Sequence, residues 1–322
     1  MSAPTLERRA GDVLLDALRA QVDELREQGP LILRRTPGAV THARVLTRQM
    51  RSVLRGFNRV LDPRHTEALA EELKWLGAQL AAERDAEAMI EHFTQVVRTL
   101  PGELIMGSVT TDLEQALSQL AEAGDRTVLD ALASERYRAL LELLDRLVAD
   151  PPFTHRADRP AREELPKSVA KAFGKLDRRL AAADVLPPGP DRDEALHEAR
   201  KADKQLRYMT EVVAPVIGTP ARRLRRQSKK LQELLGEYQD AVVARPVLRQ
   251  LGASAYAHGH DSFTYGLLYA LEEARTERVL RELPARLAHL HDSRTYTWLP
   301  TKPAPQLSEV LSKFGLSMPA TR

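Results

Sequence analysis

Seven arginines stand at positions 34, 35, 44, 48, 51, 55 and 59, and no Asp or Glu occurs between the first of them and Leu61. From His197 to Lys230, ten lysines and arginines face three acidic residues, a second excess of +7. The 322 residues together carry only +3, which leaves −11 for the rest of the chain. Positive charge gathered into two segments of an otherwise acidic protein describes a surface for anions better than a device for solubility. Arginine suits that task because its planar fork donates two parallel hydrogen bonds to an oxyanion.

Helical spacing arranges these side chains in stripes. At about 100° per residue, Arg44, Arg48, Arg51 and Arg55 share an arc of roughly 60°, with Arg59 at its edge. Met50, Val53, Leu54, Phe57 and Val60 fall on the opposite side, where a core belongs. Arg200, Lys204 and Arg207 form a second stripe flanked by His197, opposite Leu206, Met209 and Val213. Arg222, Arg226 and Lys229 form a third, and Lys167, Lys171, Lys175 and Arg178 a fourth. One such stripe is an ordinary solvated helix face. Four point to function, because like charges at i, i+4 each cost a few tenths of a kcal/mol that interspersed glutamates would recover.

Other chemistries are weakly represented. There is no cysteine, which excludes disulfides, thiolate metal sites and a cysteine nucleophile and fits a reducing compartment. His258-Gly259-His260-Asp261 and His289-Leu290-His291-Asp292 would need further converging ligands to hold a metal, and they read as a polar loop and a helix end. His197 has no nucleophile or carboxylate at helical spacing on its stripe, so it reads as a phosphate hydrogen-bond donor rather than a general base. Asp85 and Asp240 read as helix caps or partners of buried arginines. No glycine-rich phosphate loop is present. Neither metal nor cofactor is expected. Nucleic acid remains an alternative partner, disfavoured because the stripes lack interleaved aromatics for base stacking.

The elements that must carry these stripes are helices throughout. Apolar residues recur at helical spacing nearly everywhere, and no run alternates as a strand does. The spacing predicts helices near 5–28, 40–61, 64–82, 84–99, 109–122, 126–149, 161–183, 191–214, 219–235, 237–251 and 262–290. Breaks are expected at Gln28-Gly29-Pro30, Pro101-Gly102, Pro151-Pro152 and Pro187-Pro188-Gly189-Pro190, with a kink or register shift at Pro246. A tail over 294–322, rich in proline, reads as irregular. No apolar run approaches the ~20 residues of a membrane helix, and the charged start from Met1 to Arg9 is unlike a signal peptide. A soluble cytoplasmic protein without membrane contact is expected, and its oligomeric state is left open.

The chain also repeats itself. Thr41-x-x-Arg44-Val45-x-x-Arg48-Gln49-Met50-Arg51 returns 156 residues later as His197-x-x-Arg200-Lys201-x-x-Lys204-Gln205-Leu206-Arg207. Lys74-x-Leu76-x3-Leu80-x3-Arg84-Asp85-Ala86 returns after 155 as Lys229-x-Leu231-x3-Leu235-x3-Gln239-Asp240-Ala241. Two echoes in one order at nearly one offset imply duplication of a multi-helix unit. An all-α fold of two bundles follows, each of about four or more helices, over 5–151 and 160–290.

These motifs resemble the CHAD family, the conserved histidine α-helical domain. His197-x-x-Arg200-Lys201-x-x-Lys204-x-Leu206-Arg207-Tyr208 is similar to its C-terminal signature, and Arg44-Val45-x-x-Arg48-x-Met50-Arg51 to its N-terminal one. Leu73-Lys74-Trp75-Leu76 leading to Arg84-Asp85, and Lys229-Lys230-Leu231-Gln232 leading to Asp240, resemble the helices that follow. The resemblance spans about 5–290, with Thr41 standing where the family has its first histidine and His42 about 100° round the helix. It implies two bundles related by a pseudo-twofold axis around a basic central groove that holds inorganic polyphosphate, and association with polyphosphate granules. The expected contacts are Arg44, Arg48, Arg51, Arg55, Lys74, Arg84, His197, Arg200, Lys201, Lys204, Arg207, Arg226, Lys229 and Lys230. Non-enzymatic polyphosphate binding is thus the leading expectation. A general polyanion module for nucleic acid or acidic protein is the alternative, and a metal-dependent polyphosphate phosphohydrolase a weaker one.

Overall fold

The computed structural model describes residues 8–300, apart from the side chains of 82–87, 116 and 117. The expected contact Arg84, its neighbour Asp85 and the tail from residue 301 lie outside what is described. In chain order the helices are α1 (Ala10–Leu33), α2 (Ala39–Gly56), α3 (Pro63–Gln79), α4 (Ala81–Arg98), α5 (Val109–Ala133), α6 (Glu135–Ala149), α7 (Ala161–Asp184), α8 (Pro190–Ile217), α9 (Thr219–Ala257), α10 (Phe263–Leu290) and α11 (Ser293–Tyr296). Among the described residues, strand-like pairing is confined to two isolated bridges, Arg9 with Pro160 and Leu61 with Phe153. The all-α class is as expected.

Several helix boundaries differ from those read off the sequence, and α2 closes at Gly56 rather than near 61. α1 continues through Gly29 and Pro30 to Leu33. Gly29 is buried where a Cβ would sit 3.3 Å from the Tyr137 hydroxyl, so it is a close-packing residue of α6 against α1 rather than a stop. Pro30 is exposed in the last turn, where only one helix hydrogen bond is lost to its missing N–H. α5 runs past Gly124 to Ala133, and the break comes at Ser134, whose hydroxyl accepts the Tyr137 backbone N–H and caps α6. α9 is one helix of 39 residues through Gly236 and Pro246. Burial of Leu231, Leu234, Leu235, Tyr238 and Leu248 outweighs the local cost of both breakers. Part of the expected irregular tail, Ser293–Tyr296, is a short helix capped by Asp292.

The chain forms two compact units, and each takes segments from both halves of the sequence. The first comprises the chain up to Gly77, Ser134–Glu233 and the chain from Pro284; the second comprises Ala78–Ala133 and Leu234–Leu283. The first and third boundaries of this division, after Gly77 and after Glu233, lie 156 residues apart, the spacing of the repeated motif.

In the first unit the apolar faces of α1, α2, α7 and α8 meet. Leu14, Leu18 and Leu25 of α1, Leu46, Met50 and Leu54 of α2, Leu165, Phe173 and Leu176 of α7, and Leu206, Met209 and Val213 of α8 are all buried. Reciprocal backbone hydrogen bonds, Ala10 N–H to the Arg159 carbonyl and Ala161 N–H to the Arg8 carbonyl, each 2.8 Å, start α1 and α7 side by side. The second unit closes around Phe93, Val97, Val109, Leu113, Leu248, Tyr265 and Leu268. There the buried Glu272 lies 2.6 Å from His92 Nε2, and Arg275 donates to the same ring.

Candidate polyanion-binding site

Helices α2 and α8, which carry the two copies of the basic motif, pack against each other in the first unit. Their approach depends on Gly56: a Cβ there would collide with Met209 Sδ and lie 2.7 Å from its Cε. Once Met50, Val53 and Leu54 of one helix and Leu206, Met209 and Val213 of the other are buried, helical phase turns both stripes the same way. Arg44 and Arg48 of α2 then share one electrostatic environment with Arg200, Lys204 and Arg207 of α8.

These side chains are half-buried rather than waving in solvent. The Nε atoms of Arg51, Arg200 and Arg207 are buried with no hydrogen-bond partner among the described residues. Nor, among the described residues, does a carboxylate lie within ion-pair distance of Arg51, Arg200, Lys204 or Arg207. Burial, and the Arg55 charge, hold the Arg51 guanidinium below its ordinary pKa. Lys204 is brought down to about 7, first by burial and then by Arg200, Arg48, Arg44 and Arg207. A cluster of like charges, partly desolvated, is unfavourable for the folded chain alone and favourable for one that meets a multivalent anion.

Arg207 lies with its guanidinium carbon 4.5 Å from the centroid of the Tyr208 ring. Tyr208 is itself only 4% exposed, so it supports the arginine from below and presents no face to a base. Phe57 and Phe173 are core residues. His197 is half-buried one turn before Arg200 and Lys201 on the flank of the stripe. Thr41 is half-buried, whereas His42 points outward to Glu24 at 3.2 Å. Its ring is held in that exposed contact.

The remaining expected contacts occupy different surroundings. Arg55 is bonded to Glu67 at 2.6 Å and also to Glu71, both on α3. Lys74 reaches Glu71 at 3.3 Å, Lys201 reaches Glu198 at 2.7 Å, and Lys229 lies 3.6 Å from Glu233. Arg226 and Lys230 are exposed on α9 without an ion pair among the described residues. Of the fourth stripe, Lys167 is tied at 2.7 Å to the buried Glu164, which also binds Arg59 at 2.9 Å. Lys175 donates to Gln205 at 3.3 Å.

Sequence reasoning missed the carboxylates that sort these cations. Glu67 and Glu71 are one turn apart on α3, which is held near α2 by Gly77, where a Cβ would be 3.2 Å from Thr47 Oγ1. Their i, i+4 spacing was a legible signal; their partner was not. Asp203 was likewise passed over. It is fully buried, accepts the Ser228 hydroxyl at 2.5 Å, and is pushed up to about 7 by burial. Asp240 neither caps a helix nor, among the described residues, holds an arginine: it is exposed in mid-α9.

The histidine-rich segments take structural roles. The His258 ring lies 2.8 Å from the Ser254 carbonyl at the end of α9, and Asp261 accepts the Phe263 backbone N–H at the start of α10. His291, read as part of a polar helix end, is instead buried, with Nε2 2.9 Å from Asp177 and Nδ1 2.9 Å from the Leu287 carbonyl. Among the described residues no group of three or more His, Cys, Asp or Glu could hold a metal ion. Nor, among them, is any helix long and apolar enough to cross a membrane.

Known proteins share this fold. PptA from Streptomyces chartreusis matches with a TM-score of 0.70 at 24% identity, over 87% of this chain and 99% of that one. The CHAD domain from the plant Ricinus communis matches with a TM-score of 0.67 at 20% identity, over 90% and 94%. These likenesses concern the fold. An uncharacterized protein of Mycobacterium tuberculosis, in strains CDC 1551 and H37Rv, is 34% identical over 256 residues, 78% of this chain. The chain spans about half the length of these curated relatives, 48%. The family model described as CHAD domain matches residues 16–249, a span that begins in α1, ends within α9 and contains both basic stripes. The chain belongs to the CHAD domain family.

Proposed function

We propose that the protein binds inorganic polyphosphate without chemically altering it, through the cations that α2 and α8 bring together. The observation that carries this reading is the convergence of Arg44, Arg48, Arg200, Lys204 and Arg207, half-buried, with no carboxylate at ion-pair distance from Arg200, Lys204 or Arg207 among the described residues. A linear polyphosphate offers repeated oxyanions that can engage several forks at once, and each phosphate neutralised releases counterions. Arg51 and His197 extend this inner set. Arg226 and Lys230 of α9 form an outer one, and Lys74, Arg55, Lys201 and Lys229 join when the ligand displaces their carboxylates. Phosphate is favoured over nucleobases because the aromatic nearest the cluster, Tyr208, is buried beneath Arg207.

Two duplicated bundles, 5–151 and 160–290, flanking a basic groove are part of the same reading, as is a cytoplasmic setting near polyphosphate granules. Titration of long-chain polyphosphate against matched RNA, duplex DNA and heparin at physiological salt tests it. Preference for polyphosphate is expected, and equal affinity for all four overturns the specific reading in favour of a general polyanion module. Charge reversal at Arg48, Arg51, Lys204 and Arg207 abolishes binding while leaving helical circular dichroism intact. Phosphate release with divalent metal would instead establish a phosphohydrolase.

A further inference from the structure

Among the cations of the inner cluster, one differs in kind. A guanidinium keeps its proton under all ordinary conditions, whereas a primary amine can release one when burial and neighbouring charge oppose it. Lys204 stands in that position. It is half-buried on α8 between Arg200 and Arg207, and the charges of Arg44 and Arg48 act on it from α2, which packs against α8. Around it, α7 contributes Lys175, on Gln205, and Arg179, near Glu198. The adjacent Asp203 points to Ser228 of α9 and is fully buried. Four guanidiniums thus act on one amine that, among the described residues, has no carboxylate within ion-pair distance.

We infer that polyanion binding takes up a proton at Lys204, so that the site grips its ligand near and below neutrality and loosens it as pH rises. This rests on the anion-binding reading above. In the free protein the amine is largely neutral above about pH 7. Phosphate oxygens placed among the arginines reverse the local field and restore the ammonium, which then donates to the ligand. By linkage, affinity is insensitive to pH while the free amine is already charged, and falls by up to roughly tenfold per pH unit once it is not. Internal phosphates of a long polyphosphate remain ionised across this range, so the dependence belongs to the protein.

Calorimetric titration with long-chain polyphosphate at pH 8.5, in two buffers of different ionisation enthalpy, measures the protons taken up. Uptake approaching one proton per site is expected for the wild type, and none for Lys204→Arg or Lys204→Met. Uptake that persists in both Lys204 variants, or binding by the wild type without uptake, overturns the inference. A second measurement does not depend on the ligand: acylation of the free protein at pH 7.5, mapped by mass spectrometry. Lys204 should react several-fold faster than the exposed Lys171 despite its burial. A Lys204 no more reactive than Lys171 also overturns the linkage, whereas failure of polyphosphate to bind, with Lys204 reactive, overturns only the identity of the ligand.

Discussion

At the scale of single residues, the environment decides what each cation and each acid can do. Asp203 and Lys204 are neighbours in sequence with opposite displacements, one raised from 3.8 to about 7 and the other lowered from 10.5 to about 7. Between about pH 4 and 7 the folded chain keeps a proton on Asp203 that the unfolded chain has released, so stability falls as pH rises. Between about pH 7 and 10 the unfolded chain keeps a proton on Lys204 that the folded chain has lost, so stability rises again. Thermal denaturation without ligand should show a minimum near neutrality from these two groups. Asp203→Asn should remove the falling limb and add on the order of 1–3 kcal/mol at pH 8, by taking away a buried charge; Lys204→Met should remove the rising limb. A second prediction concerns Arg55, which two glutamates occupy. Glu67→Gln with Glu71→Gln should release it and tighten polyphosphate binding several-fold. The slope of log affinity against log salt should steepen by about 0.7 for each of Arg55 and Lys74, which Glu71 also holds, that gains a phosphate contact. An unchanged slope would show that Arg55 does not reach the ligand.

At the scale of elements, the site depends on how closely helices can approach. Gly56 removes the side chain that would hold α2 away from Met209 of α8. Gly56→Leu should cost about 1–3 kcal/mol through overpacking, read from chemical denaturation, and should weaken polyphosphate binding further by separating the two stripes. Binding that keeps wild-type affinity in a folded Gly56→Leu variant would mean that the spacing is not critical. Glu164 plays the complementary part. Its carboxylate is buried at the start of α7 and holds Arg59 and Lys167, with Arg156 at 3.5 Å. Glu164→Ala leaves those cations without their buried partner and should destabilise the fold by about 3 kcal/mol. Glu164→Gln, which keeps the hydrogen bonds, should cost less. The helix periods were plain in the sequence, since the residues placed opposite each stripe are buried. Helix ends were less legible: Gly29-Pro30 reads locally as a break and the residues around Gly124 and Gly236 as gaps between helices, and only tertiary burial carries the helix through them.

At the scale of the molecule, charge separation governs behaviour in salt and with ligand. A cluster that repels itself should be relieved by anions, so long-chain polyphosphate at 100 times its Kd should stabilise the protein by about 2.7 kcal/mol, observed as a rise in Tm. The benefit should shrink steeply as salt is added. A Tm unmoved by saturating polyphosphate would contradict binding to the folded state. Each compact unit takes helices from both halves of the duplicated chain. The 156-residue repeat made duplication visible, but a repeat says only that two segments are alike and is silent about which of them pack together.

Read by itself, the sequence determined the all-helical class, the repeated motif and the composition of the stripes at Arg44 to Arg55 and His197 to Arg207. These are properties of period and spacing, which one chain displays without reference to any partner. Tertiary structure alone decided which cations remain uncompensated. The choice rests on carboxylates distant in sequence or turned by packing, such as Glu67 and Glu71 beside Arg55, and on burial, which raises Asp203 and lowers Lys204. Charge acts through space, and the distances that set its strength exist only after the helices have packed.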